Sequence, residues 1–250
     1  MTPPKVTDED YIHFLMATPR VCSGAEAARV QPGGEAAPAH EAFARRQHRL
    51  EPDAATLWRE AAGQVERHSG ILVVDDSTLD KPYAKKIERV QRHWSGKHHA
   101  VVAGINLITL LWTEGDRHVP VDYRRYDKVG DALTTNDHFQ AVLKTAQARG
   151  FIPACVVFDS WYSSLANLTL IHGWGWVWLT RLKANRWVNP DRRGLRAVAP
   201  VDIATEGTIV PLKGYGLIRL CKLVTPDGDI EWWTRNDLQM TPLKRVRFAG

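Results

Sequence analysis

The chain has 250 residues, 44% of them hydrophobic and 24% charged, with a formal net charge of +5. That is ordinary globular composition, with enough chain for one sizeable core or a core plus a small domain, and the mild basic excess suits a polyanionic partner without demanding one. No apolar run is long enough to cross a bilayer, MTPPKVTDEDY lacks the apolar stretch of a secretory signal, and Cys22, Cys155 and Cys221 stand alone without CxxC spacing, which argues against a membrane protein, a disulfide framework and a cysteine-zinc cluster and points to a reducing cytoplasm.

The first seventy residues read as helical. Thr7 can cap a helix carrying Tyr11, Phe14 and Leu15 on one face, and Pro32, Gly33, Gly34 and Pro38 then break the chain. Residues 39–50 crowd Arg45, Arg46, His48 and Arg49 together, and Pro52 and Asp53 open a helix on which Leu57, Trp58, Ala61, Ala62 and Val65 recur at helical spacing. A helix with a basic face is one way to dock on DNA; a solvated helix face is the plainer alternative.

From Ile71 the texture changes. Ile71–Val74 is a short apolar run that leads to a turn, residues 100–112 form a long β-branched run, and residues 118–127 read as its antiparallel partner across a turn at Glu114, Gly115 and Asp116. Thr134 to Asn136 can cap a helix with Phe139, Val142, Leu143 and Ala146 on one face, ended by Gly150. Residues 154–159, "ACVVFD", form another apolar run ending in an acid. A helix capped by Ser163 or Ser164 runs toward Gly173, and residues 176–182 are again a strand, with Trp174, Trp176 and Trp178 alternating. Strands interleaved with helices imply a mixed α/β sheet. Past Pro190 the chain turns into short strands joined by Gly and Pro turns, clearest at Pro226–Asp229. The expected organisation is an N-terminal helical segment, 1–69, an α/β core, 70–189, and a β-rich segment with a tail, 190–250.

Two strand ends carry acids: Asp75 and Asp76 after Val74, and Asp159 after Phe158. Adjacent carboxylates repel and must be solvated, paired or held on a cation. If the two strands are parallel neighbours, their carboxyl ends open on one crevice, and no Lys or Arg stands beside these acids in sequence. Converging carboxylates suit Mg²⁺, which takes oxygen ligands and often only one or two carboxylates with substrate phosphate completing its shell. An Asp after an apolar strand is also a common turn residue or cap, and that reading stays open.

The stretches "VVDDSTLDKPYAKKIERVQRHWSGKHHAVVAGINLITLLW" and "VVFDSWYSSLANL" resemble the cut-and-paste transposases of bacterial insertion sequences, members of the DDE superfamily with an RNase H-like core. "VPVDYRRYDK", "TNDHF", "WLTRLKANRWVNPD", "LKGYG" and "WWTRNDL" extend the resemblance over about Tyr11 to Leu238. The resemblance implies an RNase H-like mixed β-sheet flanked by helices. It implies catalytic, metal-binding acids at the Asp75–Asp76 pair and at Asp159, with Asp76, followed by Ser77 and Thr78, fitting marginally better than Asp75. It also implies Mg²⁺ or Mn²⁺ as cofactor, DNA as partner (element ends and target) and a bacterial, nucleoid-associated setting. A homodimer is compatible with it. Such a family would also supply a Glu on a late helix. Here nothing after Asp237 is acidic, and Glu206 and Glu231 fall in the β-rich segment. The resemblance implies a transposase that cleaves element ends and joins them to target DNA by metal-dependent phosphoryl transfer; lacking the late Glu, the chain reads as cut short and is expected to be inactive, the alternative being a non-catalytic DNA-binding fragment that regulates or inhibits transposition.

Residues 84–99 hold Lys85, Lys86, Arg89, Arg92, His93, Lys97, His98 and His99 against one acid, Glu88. Such a stretch can supply salt-sensitive affinity for phosphate; an exposed charged loop is the alternative. His98 and His99 lack a third ligand at zinc spacing. Trp161 and Tyr162 can stack on an unpaired base or pack the sheet edge. Arg181, Lys183 and Arg186 are candidates for phosphate binding or for plain solvated charge. "DSWYS" lacks the GxSxG elbow of a serine hydrolase.

Overall fold

A computed structural model describes residues 5–19, 22–34, 37–50, 53–96, 98–127 and 130–239. The chain divides into two compact units, Met1–Thr56 and Leu57–Gly250.

The first unit is helical: α1 (Asp8–Ala17), α2 (Gly24–Arg29) and α3 (His40–Arg49). Thr7 and Asp10 form a reciprocal capping box at the start of α1, and Ser23 caps α2 through the amide of Glu26. This satisfies amide groups that a helix start leaves without partners. Val6, Phe14, Ala27, Ala42 and Phe43 form its core.

Helix α4 (Ala54–Ala61) precedes the second unit's main sheet. The strands are β1 (Ile71–Asp80), β2 (Gln91–Ser95), β3 (Ala100–Glu114), β4 (Arg117–Tyr126), β5 (Cys155–Phe158) and β6 (Trp178–Leu182). The later ones are β7 (Trp187–Val188), β8 (Arg196–Ala197), β9 (Thr208–Leu212), β10 (Gly216–Val224) and β11 (Ile230–Arg235). Helices α5 (Thr135–Ala148) and α6 (Leu165–Gly173) fall on either side of β5 in sequence. The path is β2-β3-β1-β5-β6-β11-β10-β9-β7-β8, and β4 also pairs with β3. Strand β3 pairs antiparallel with both β1 and β4, while β5 pairs parallel with β1 and β6 parallel with β5. This is the mixed sheet expected of an RNase H-like core. Strands β9 to β11 continue the same sheet, because β11 pairs antiparallel with β6.

Alternation dictates the faces. Leu72 and Val74 of β1, Ile108, Leu110 and Trp112 of β3, and Val156 and Phe158 of β5 are buried. Helix α5 lies on this side: its Phe139 meets Phe158 edge-on at 5.1 Å. The helix opens on a capping box between Thr134 and Asp137 and buries Phe139, Val142, Leu143 and Ala146. Gly70 is required where β1 begins. Its φ is +69°, and a Cβ there would lie 2.4 Å from the Trp112 indole nitrogen, which donates to the Ser69 carbonyl.

Two expected element boundaries differ. Strand β1 does not end at Val74 but continues to Asp80, because β3 pairs with it over its whole length. The tryptophan alternation is strand only from Trp178. Trp174 caps α6 and Gly175 turns the chain with φ +73°, so Trp174 and Trp176 meet as a T-shaped pair instead.

Candidate active site

The register of β1 with β5 ends at Val74 opposite Phe158. Beyond it β1 keeps only its β3 neighbour, while the other chain segment leaves the sheet at Asp159. Asp75, Asp76 and Asp159 therefore come together where the parallel pair parts. Asp76 lies on the face of Leu72 and Val74, and Asp75 on the opposite face, by strand alternation. Incomplete solvation, then the charges of Asp76 and Asp159, push the Asp75 carboxyl above its ordinary value, against a hydrogen bond from the Asp76 backbone amide and the weaker pull of Arg181. All three acids act electrostatically on the Tyr162 hydroxyl.

Asp76 is held by neutral donors. Asn106 Nδ2 donates to its Oδ2 at 3.1 Å and the Tyr162 hydroxyl donates to its Oδ1 at 3.1 Å. Asn106 comes from β3 two positions before Ile108, on the same face. Tyr162 closes the single 3-10 turn Ser160–Tyr162, is fully buried, and stacks on Phe139 at 4.7 Å. Burial, then the negative field of Asp76, pushes the phenol up, so it stays a protonated donor. His93 of β2 is pushed down by burial against the field of Asp76. Asn106 Oδ1 and His93 Nε2 are buried and have no hydrogen-bond partner.

Asp159 is held by a cation. Its Oδ1 accepts from Ser160 N at 2.6 Å, capping the 3-10 turn, and from Arg181 Nε and Nη2 at 3.2 and 2.6 Å. Arg181 Nη1 reaches Glu231 Oε1 at 2.5 Å, and Trp233 Nε1 donates to Glu231 Oε2 at 2.7 Å. Burial alone would lower Arg181; its bonds to Asp159 and Glu231 outweigh this and raise it. Glu231, which burial alone would raise, is held below its ordinary range by Trp233 and Arg181.

Sequence reasoning missed Asn106 and the Glu231–Trp233 pair, and gave Arg181 no carboxylate partner. One signal was available for Arg181. Phe158 stands opposite Thr180 in the parallel β5–β6 pair, so the position after Thr180 neighbours the position after Phe158.

Among the described residues no three His, Cys, Asp or Glu side chains gather closely enough to hold a metal ion. What is present is two carboxylate positions, at β1 and after β5, with the unsatisfied oxygen of Asn106 next to Asp76. That oxygen-rich donor set fits Mg²⁺ or Mn²⁺, for which one or two carboxylates plus phosphate suffice.

Lys85, Lys86, Arg89 and Arg92 are all exposed, the first three in the connection after β1 and Arg92 on β2. Arg89 has a positive φ of 63°. Lys97 lies outside the described residues. His98 is paired with Asp80 at 2.6 Å. In the helical unit Arg45 is exposed, and Arg49 is exposed while donating to the Val6 carbonyl. Arg46 differs from expectation: it is buried, ion-paired with Asp8 at 2.9 Å and seated 4.5 Å from the Tyr11 ring centroid. Its position on the Phe43 side of α3 turns it toward the unit's core.

No helix among the described residues is long and apolar enough to cross a membrane. A comparison with curated proteins returns no match. Among solved structures the chain is similar to the piggyBac transposase synaptic complex with hairpin DNA, at 9% identity and TM-score 0.46, over 68% of this chain and 34% of that one. It is also similar to the Drosophila P element transposase strand transfer complex, at 11% identity and TM-score 0.37, over 75% of this chain and 38% of that one. The chain thus spans little more than a third of the length of either, and at these scores the likeness carries nothing further. A family model described as DDE superfamily endonuclease matches residues 12–203, well over half of the sequence, including both acidic segments. The chain belongs to the DDE superfamily endonucleases.

Proposed function

We propose that this chain is the end-binding core of a DDE-type DNA transposase from a bacterial insertion sequence, with Asp76, Asp75 and Asp159 as its acidic site. The observation that supports this best is the parallel register ending at Val74 and Phe158, which brings acids more than eighty positions apart to one crevice.

In this reading a divalent ion, Mg²⁺ or Mn²⁺, would be held by Asp76 and Asp159, with Asp75 adding negative field from the other face. The ion supplies Lewis-acid stabilisation of a phosphoryl centre and a lowered pKa for bound water. The chain's own residues position and desolvate. Asn106 and Tyr162 fix the Asp76 carboxylate without neutralising it. Ser160 N orients Asp159. Lys85, Lys86, Arg89 and Arg92, in the segment just after β1, neutralise DNA phosphates, as do Arg45 and Arg49 from the N-terminal helical segment. Arg46 is left out because Asp8 and Tyr11 occupy it.

Among the described residues no three acids gather closely enough to hold a metal ion, which favours binding over cutting. We therefore propose that the chain by itself occupies element ends without cleaving them, which would make it an inhibitor of a complete enzyme. The test is a gel-shift titration with a duplex carrying the ends of its own element, with and without Mg²⁺, across a salt series. Binding should weaken steeply with salt. Replacing Lys85 and Lys86 by Ala should reduce the slope of log K against log salt by about 0.9 for each phosphate no longer neutralised. No binding at low salt overturns the DNA reading. Robust Mg²⁺-dependent cleavage overturns the inhibitor reading and leaves the transposase reading standing.

A further inference from the structure

One cation is already seated at the acidic site. Arg181 reaches Asp159 with two nitrogens, both on the same oxygen, Oδ1, and sends its third nitrogen to Glu231. This is not the fork-on-fork grip in which a guanidinium occupies both oxygens of one carboxylate. It is a bridge between two carboxylates, and Arg181 leaves the second oxygen of Asp159 alone. The Arg181 and Asp159 side chains are each 39% exposed, so water screens the pair and the guanidinium has room to move. The Glu231 end is better fixed. Glu231 takes the Trp233 indole hydrogen, the Arg181 guanidinium lies 6.0 Å from the Trp233 ring centroid, and Trp233 stands opposite Arg181 in the β6–β11 register.

We propose that Arg181 is the displaceable internal counter-cation of Asp159, and that Glu231 with Trp233 is its resting post when a divalent ion takes the carboxylate. This rests on the reading of Asp159 as a metal ligand. Arg181 and the ion are then competitors for one carboxylate, coupled by binding free energy, so removing either strengthens the hold of the other. Glu231 acts through Arg181 as a positioning residue: by sharing the guanidinium it loosens the grip on Asp159. Once released, the guanidinium remains beside the site, where it adds positive charge toward a DNA phosphate.

The test is Mn²⁺ titration of the full chain, followed by the electron-spin resonance of free Mn²⁺, with melting temperature recorded for each variant. Asp159→Asn should weaken binding; if it leaves binding unchanged, the metal-site reading itself fails. Given that weakening, Arg181→Gln should tighten Mn²⁺ binding by about fivefold or more. Unchanged or weaker binding by a folded Arg181→Gln chain overturns the proposal. If Arg181→Gln does not fold, Arg181→Met carries the test, since it keeps an apolar stem in place of the arginine's and carries no charge, and it should also tighten binding. Glu231→Gln should weaken Mn²⁺ binding when Arg181 is present and much less in the Arg181→Gln background. Equal weakening in both backgrounds would assign Glu231 a direct charge effect and overturn its role as the resting post.

Discussion

The two acids of the crevice are held in opposite ways. Asp76 sits among neutral donors that belong to the core: Tyr162 is fully buried against Phe139, and Asn106 is 5% exposed. Asp159 sits under a half-exposed guanidinium that it shares with Glu231. Neutral donors orient a carboxylate and leave its charge available; a cation cancels the charge and must be moved before another cation can use it. The β1 side of the site is thus fixed by packing and the β5 side by electrostatics, and the two should respond to different perturbations.

The largest expected effect lies on the packed side. Tyr162→Ala should cost about 3–5 kcal/mol of unfolding free energy in urea titration. Tyr162→Phe, which keeps the ring and loses only the bond to Asp76, should cost about 1 kcal/mol; equal losses for the two would show that the stacking on Phe139 contributes little. Asn106→Leu removes the donor to Asp76 Oδ2 and should cost about 1–3 kcal/mol. On the electrostatic side Arg181→Gln should change unfolding by less than about 1 kcal/mol, because the pair is screened. A loss as large as that of Tyr162→Ala would abolish the contrast.

The smallest effect concerns pH. The folded chain holds the Asp75 proton more tightly than the unfolded chain does, because its carboxyl is raised. Stability therefore falls as pH rises from the ordinary carboxylate range through the raised value, and the full cost is present above it. Asp75→Asn should be more stable than the parent at neutral pH, with the gap closing as pH falls through the raised value to the ordinary carboxylate range. A gap that widens on acidification would contradict the sign.

Much of the core was legible in the sequence because local chemistry and burial agree there. The Thr134 box, the apolar face of α5 and the β-branched run of β3 each announce themselves. The end of β1 was not legible: Asp75 to Asp80 look like a turn, and only pairing with β3 keeps them extended. Arg46 looked like a surface charge because its partner, Asp8, is 38 positions away. Likewise the absence of Lys or Arg beside Asp159 in sequence suggested an unpaired acid, whereas Arg181 arrives from the neighbouring strand, 22 positions on. Charge pairing across a sheet is set by register, which a single sequence specifies only through the fold.

The most direct test is iron-mediated backbone cleavage. The full chain is loaded with Fe²⁺ in place of Mg²⁺, exposed to ascorbate and peroxide, and the fragments are sized. A shared site at Asp76 and Asp159 predicts cuts near residues 75–76 and near 159 together, both suppressed by excess Mg²⁺. Cuts at only one of these segments, or at neither, would contradict it.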